Sequence, residues 1–394
     1  MENKIKKNVE SFMIKNRNFE EKDLEITIKN IGGLSNQNFI VTITNKTTKE
    51  IIEQILYRKF GEISDVVSRE LETMIIDKLS QKGIGPKIYD IDPKGNYRIE
   101  EYLSKTSPIK KIDEFDNNIL NQIIKILNNY SLIADVYKYE IINNEIIYNP
   151  IYNNDDKEHK EKNRINDNMF NKCYNEMYNK AKESFKLFSQ EFKNNIIKES
   201  NEEIYKEFEK FDYYMKNYRK IFTDIFPKKG YMILCHNDIH RLNLLIREND
   251  KKLFLLDHEY ACLNLIGNDF ANYMNESCYI YEKEYKFTKE KIDFEKYYNY
   301  YKLYIKEFIN CYKFLSNIEE CKSFLEEIQT KEYYLRLHCI INLFWFLYCI
   351  IYFNFTSWNN DKTNYFYYIH GIHRMIHFEY AINEINKINK IYNI

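Results

Sequence analysis

Residues 236–243 read His236-Asn237-Asp238-Ile239-His240-Arg241-Leu242-Asn243, and the chain then runs through Leu244-Leu245-Ile246, Asn249-Asp250 and Leu253-Phe254-Leu255-Leu256 to Asp257. An acid, an amide five residues on and a second acid at the end of an apolar strand is the order of groups that phosphoryl transfer needs. That chemistry asks little covalent work of a protein and depends on oxygens aimed at one hydroxyl, at magnesium and at phosphates. Asp238 is the candidate base, a role worth about 10²- to 10⁴-fold in rate. Asn243 offers magnesium a neutral oxygen and Asp257 an anionic one, the hard donors that this ion prefers. His236 joins the catalytic candidates as a brace of the loop. In a chain this rich in Asn and Asp, residues at this spacing also cap ordinary hairpin turns. The apolar run Met232-Ile233-Leu234-Cys235 leading into the loop and the strand–turn–strand leaving it supply the specificity.

Upstream, the first hundred residues alternate short strand-like runs with turns. Asn38–Ile43 and Glu50–Phe60 read as strands joined by a hairpin across Asn45-Lys46-Thr47. A helix follows, with Ser64 or Asp65 as N-cap, Val67, Leu71, Ile75 and Leu79 at helical spacing and Gly83 past its end. Pro86–Tyr89 and Tyr97–Leu103 complete a small sheet, with Glu101 and Leu103 where two lobes would join and so candidates for nucleotide contact. Gly33, Ser35 and Asn36, in Gly32-Gly33-Leu34-Ser35-Asn36, form a plausible phosphate-cradling turn, because glycine permits close backbone approach. An ordinary hairpin turn fits the same residues. On the strand Ile55–Lys59 successive side chains face opposite ways, so only one of Arg58 and Lys59 reaches a nucleotide, and Glu70 is the expected ion partner.

The expected architecture is α+β in two lobes of protein-kinase-like type: a small, mainly β lobe over residues 1–103 and a large, mainly helical lobe over 104–394. Residues 139–168, rich in Asn, Asp, Lys and Glu, read as a surface insertion. From Asn168 to Phe226, and from Glu282 onward, helical patterns dominate. The unbroken apolar run Leu343–Phe353 is short for about 30 Å of hydrocarbon and reads as a buried core helix.

With 394 residues, 44% of them hydrophobic, the chain can bury a large core. A net charge of −1 among 30% charged residues gives no overall pull toward nucleic acid or anionic lipid. The eight cysteines include no Cys-x-x-Cys pair and suggest neither a zinc site nor a disulfide framework. The charged Met1–Lys7 lacks the apolar stretch of a secretory signal, so the cytoplasm is the expected compartment.

Several segments together resemble the choline/ethanolamine kinases, relatives of the aminoglycoside phosphotransferases within the protein-kinase-like superfamily. They are Gly32–Asn36, Leu56–Gly61, Gly83-Ile84-Gly85-Pro86, Cys235-His236-Asn237-Asp238, Asp257-His258-Glu259-Tyr260 and Gly267-Asn268-Asp269-Phe270-Ala271-Asn272 closed by Asn275-Glu276. The resemblance runs from about residue 28 to 378. It implies ATP and Mg²⁺ as cofactors and choline or ethanolamine as the small-molecule partner. It also implies that Arg58 replaces the usual strand lysine and that Glu276 faces the substrate with Tyr281. Trp345 and Tyr348 match two aromatics one turn apart on a late helix that cradle the substrate cation, for which ring faces suit a quaternary ammonium. A homodimer is possible on the same ground. The chain departs from the pattern at Tyr348, where a second tryptophan is usual, at His258 after the metal-binding acid, and at His240-Arg241 inside the catalytic loop. A kinase of another small alcohol, or a catalytically silent protein of the same fold, are the alternative readings.

Overall fold

The computed structural model describes the chain except residues 21–22, 33–35, 62–68, 93–94, 152–164, 166, 196–201, 280–291, 353–361 and 390–394; for 69–70, 187–195, 202–208, 352, 362–366 and 389 it describes the backbone alone. The chain divides into two compact units, Met1–Ile109 with Leu242–Glu259 and Lys110–Arg241 with Tyr260–Ile394.

The first unit is built on a five-stranded antiparallel sheet in the order β1-β2-β3-β5-β4, with β1 Leu24–Gly32, β2 Asn36–Asn45, β3 Ile51–Phe60, β4 Ile88–Ile91 and β5 Tyr97–Glu101. Both expected strands and their hairpin are present, in the register Val41↔Ile55 and Phe39↔Tyr57. Alternation sends Phe39, Val41, Ile43, Ile55, Tyr57 and Ile99 to one core. That core is covered by a helix which the reading of strands and turns had not anticipated, α1 Glu2–Arg17. Its Ile5, Val9, Phe12 and Met13 recur at helical spacing within a run rich in Lys and Asn, and each contributes about 1.5–3 kcal/mol on burial. Asn18, at φ 58°, closes it. Helix α2 is described from Arg69 to Gln81, so its expected N-caps, Ser64 and Asp65, lie outside the described residues. Gly83, at φ 66°, follows its end. A second small sheet in this unit orders β11-β10-β6, from Leu253–Leu255, Leu244–Arg247 and Thr106–Pro108.

The second unit carries a four-stranded antiparallel sheet, β12-β9-β7-β8, with β7 Val136–Ile142, β8 Glu145–Ile151, β9 Lys229–Cys235 and β12 Cys262–Leu265. The surface insertion expected from residue 139 is thus corrected at its start: residues 139–151 belong to a hairpin that enters the sheet through β9. Polar composition concealed the pattern, because β7 interleaves its buried Tyr137 and Tyr139 with the charged Lys138 and Glu140. Asn143 and Asn144, at φ 52° and 64°, make the two-residue turn that matches strand twist.

The helices of this unit are α3 Asn117–Ser131, α4 Met169–Asn171, α5 Tyr178–Asn195, α6 Glu202–Ile225, α7 Asn268–Glu276, α8 Phe294–Cys311, α9 Lys313–Ser316, α10 Glu319–Glu327, α11 Lys331–Tyr352 and α12 Lys362–Asn389, with a π-helical stretch, Lys172–Met177, joining α4 to α5. The most apolar stretch of α11 is long enough to cross a membrane, and 83% of it is buried inside the fold against α12, α5 and α7. A helix apolar on all sides needs such neighbours, and the core-helix expectation is met. All eight cysteines are free, and seven are buried.

Candidate active site

In the second unit, β9 ends at Cys235 and hands the chain to the His236–Arg241 loop, which α7 holds from below. Asp269, in the first turn of α7, accepts the backbone N–H of His236 at Oδ2 and that of Asn237 at Oδ1, both at 2.8 Å. Burial pushes its carboxyl up to about 7, against those two donors, and the neighbouring Asp238 adds to the rise. Asn237 sits at φ 67°, a conformation that Asn tolerates better than most residues. Its side chain satisfies the turn: Nδ2 donates to the carbonyls of Cys235 and Tyr260, and Oδ1 accepts from Asn264 and Asn268. Asn272 Nδ2 adds a bond to the Ile239 carbonyl at 3.2 Å.

These contacts fix Asp238, which is buried. Its N–H donates to His236 Nδ1 at 3.2 Å, a contact within the loop itself. His240 Nε2 stands 3.6 Å from Asp238 Oδ1. Arg241 Nε lies 3.7 Å from the buried carboxylate of Glu114, which Lys111 also contacts at 2.8 Å. The extra charge of the loop is therefore answered by Glu114.

The first unit holds the other acids. The Asn243 carbonyl accepts the Leu256 N–H at 2.9 Å, so the hairpin β10–β11 sets Asn243 beside the segment that ends in Asp257. Asp257 is itself at φ 64°, a second strained position among the candidate residues. A carboxylate and an amide on adjacent chain segments form a hard-oxygen pair of the kind that suits magnesium. Arg58 is buried on β3, with Nε 3.2 Å from Glu100 Oε1 and Nη1 3.7 Å from Asp257 Oδ1. Glu100 also takes Arg98 Nε at 3.1 Å, and Arg98 lies 3.6 Å from Glu72. Burial opposes the Arg58 charge, and Glu100, Asp257 and Glu72 more than offset it, raising its pKa.

The side chain of Glu70, the expected partner of Arg58, lies outside the described residues, as do Gly33 and Ser35. Asn36 is buried, and its Oδ1 accepts the Gly61 N–H at 3.4 Å, tying the ends of β2 and β3 together. Glu101 Oε2 accepts the Lys87 N–H, and the Leu103 carbonyl accepts the Thr106 hydroxyl.

Back in the second unit, the candidate substrate residues gather around α11. Tyr260 lies edge-on to Trp345 and Tyr348 at centroid distances of 6.0 and 5.8 Å, and Trp345 and Tyr348 lie 5.1 Å apart. Trp345 Nε1–H donates to Asn272 Oδ1 at 3.2 Å, so one asparagine side chain bonds both this indole and the His236–Arg241 loop. Glu276 follows Asn272 by one turn on α7 and is 4% exposed.

Its partner was not foreseen. Arg374, on α12 and fully buried, places Nη2 2.5 Å from Glu276 Oε1. The guanidinium carbon stands 4.2 Å from the Tyr279 ring centroid and 5.4 Å from that of Trp345, while Nε–H donates to His370 Nε2 at 2.9 Å. Burial and then the Arg374 charge hold His370 well below its usual pKa, leaving a neutral acceptor. Tyr281, Trp358 and the Tyr365 side chain lie outside the described residues. Tyr367 stands 6.3 Å from Tyr348.

With the acids, the loop and the aromatic group in view, comparison with known proteins places the chain. The profile of the choline/ethanolamine kinase family matches residues 28–381. The chain belongs to that family. Over 238 residues it is 26% identical to the ethanolamine kinase of Saccharomyces cerevisiae, an alignment covering 56% of this chain and 40% of that protein. Over 267 residues it is 25% identical to the choline/ethanolamine kinase of Mus musculus, covering 66% and 57%. The alignments thus span less than two thirds of these relatives' own length. The crystal structure of choline kinase from Cryptosporidium parvum shares the fold, at 19% identity and a TM-score of 0.62 over 98% of this chain and 99% of that one. An ethanolamine kinase of Plasmodium vivax aligns at 18% identity with a TM-score of 0.52, covering 93% and 87%. The α+β, kinase-like expectation is met, and the family match has nearly the extent read from the sequence.

Proposed function

We propose that the chain transfers the γ-phosphoryl group of ATP to the hydroxyl of choline, with ethanolamine as a second or alternative substrate. The product would be phosphocholine or phosphoethanolamine, entering phospholipid synthesis. The observation that carries this reading is the Asn272 bridge, which ties the aromatic ring Trp345 to the loop bearing Asp238 and leaves Glu276 one turn further along the same helix.

In this reading Asp238 receives the proton of the substrate hydroxyl, with His236 and Asp269 keeping its loop in place. Asn243 and Asp257 would hold magnesium, which neutralises the phosphate charge. Arg58, anchored by Glu100, is the cation available to the nucleotide phosphates, and Glu276, Trp345, Tyr348 and Tyr260 form the group that recognises the amino end.

A coupled ATP-consumption assay with choline, ethanolamine and their methylated intermediates tests this. Asp238→Ala should lose about 10²- to 10⁴-fold in kcat. Wild-type turnover no higher than that of the variant with every amino alcohol would refute it.

A further inference from the structure

The chemistry that would receive the substrate cation is already engaged by a cation of the chain itself. Arg374 meets Glu276 through Nη2 and stands over the Tyr279 and Trp345 rings. A carboxylate with aromatic faces around a delocalised, weakly hydrated cation is the environment that an alkylammonium group would also select. Glu276 and Trp345 cannot serve both. Two positive charges drawn to the same carboxylate oxygens, away from water, repel each other strongly.

We propose that Arg374 is a resident competitor for the amino-alcohol site: the substrate binds by taking Glu276 and Trp345 from it, and Arg374 thereby sets the affinity for the cationic end. The proposal rests on the reading of Glu276 and Trp345 as the amino-alcohol subsite. The surroundings of Arg374 suit a side chain that must let go. His370, His373 and His377 lie on the same helix and are buried. His370 already accepts from Arg374 Nε. His377, held down to about 3 by burial and then by the Arg374 charge, is also a neutral imidazole, and its Nδ1 is 2.8 Å from the Tyr279 hydroxyl. The neutral His370 can keep Nε of the guanidinium hydrogen-bonded while Glu276 changes partner.

The apparent affinity for the substrate is then its intrinsic affinity multiplied by the fraction of molecules in which Arg374 has withdrawn. A primary ammonium can donate to Glu276 while a quaternary one offers it charge and ring contacts alone, a difference that lies in the intrinsic affinities of the two substrates. Because that fraction is the same for every ligand, Arg374 weakens choline and ethanolamine binding by the same factor.

The test is calorimetric titration of the wild type and Arg374→Gln with tetramethylammonium chloride, together with KM values for choline, ethanolamine and ATP. Glutamine keeps a donor for Glu276 without the charge. The variant should bind tetramethylammonium at least about tenfold tighter. Its choline and ethanolamine KM values should both fall by a similar factor, with the ATP KM unmoved. A purely structural ion pair would give the opposite, and equal or weaker tetramethylammonium binding by the variant overturns the proposal. Should Arg374→Gln lose its fold, Arg374→Met, which keeps apolar volume against the rings, is read by melting: tetramethylammonium must raise its Tm by more than it raises that of the wild type, and an equal or smaller rise overturns the proposal. If no amino alcohol stimulates ATP consumption above Asp238→Ala, the proposed function fails, while the tetramethylammonium titration still decides on Arg374 because it reads cation binding without turnover.

Discussion

Asp269→Asn is the substitution whose effect on stability follows most fully from the geometry. Each carboxyl oxygen accepts one backbone N–H, from His236 and from Asn237. A protonated carboxyl can still accept at both oxygens, whereas an asparagine turns its NH₂ group toward one of the two donors. At pH 5 the variant therefore loses one hydrogen bond of about 1 kcal/mol and leaves a buried N–H unmatched at about 1–3 kcal/mol, a total of roughly 2–4 kcal/mol. The gap must then depend on pH. The folded-state pKa of Asp269, pushed up by burial to about 7, lies above the ordinary value of about 3.9. Between those values the folded chain holds a proton that the unfolded chain has released. The contribution of this proton to stability is full below the unfolded pKa and is lost as pH rises through about 7. At about 1.4 kcal/mol per pH unit, the stretch from pH 5 to 7 amounts to roughly 2–3 kcal/mol. Wild type should exceed Asp269→Asn by roughly 2–4 kcal/mol at pH 5, and the difference should shrink by about 2–3 kcal/mol at pH 8. Urea unfolding followed by circular dichroism at both pH values measures it, and taking the difference removes groups common to both proteins. A gap that is constant, or wider at pH 8, would mean that Asp269 is ionised throughout and would refute the reasoning.

Two further substitutions probe separate parts of the structure. Tyr348→Ala should raise the choline KM by roughly 2- to 30-fold, the equivalent of about 0.5–2 kcal/mol of cation–ring attraction, and should move the ATP KM less; equal changes would remove Tyr348 from the substrate group. Gly267→Ala should destabilise the protein by about 2–4 kcal/mol, because Gly267 sits at φ 89° and a Cβ there would lie 2.7 Å from the Tyr301 ring; an unchanged Tm would contradict it.

The parts of the molecule legible in the sequence are those where chemistry or strand pairing demands residue types at fixed spacing. The His236–Asn243 stretch and Asp257 stand out as the order of groups on which the proposed phosphoryl transfer rests, and β2 and β3 qualify because their alternation is clean. Helix α1 escaped because four apolar residues at helical spacing were diluted by lysine and asparagine. The β7–β8 hairpin escaped for the same reason, although Asn143-Asn144 carried a turn signal. Asp269 and Tyr260 lay inside segments that carried the family resemblance, yet their roles depend on which backbone amides and rings come near them, and no local spacing encodes that. Arg374 is the extreme case: a charge between His373 and Met375 in a long helix has no local mark of function, and only the approach of α7 to α12 gives it Glu276. The departures His240 and Arg241 proved to have carboxylate neighbours, Asp238 and Glu114.

The most direct measurement is ³¹P nuclear magnetic resonance of wild type and Asp238→Ala incubated with ATP, magnesium and choline, and separately with ethanolamine. The wild type should produce a phosphomonoester resonance matching authentic phosphocholine or phosphoethanolamine in step with ADP, and Asp238→Ala should produce almost none. Conversion of ATP to ADP and inorganic phosphate alone, or the same phosphomonoester yield from both proteins, would contradict transfer to an amino alcohol through Asp238.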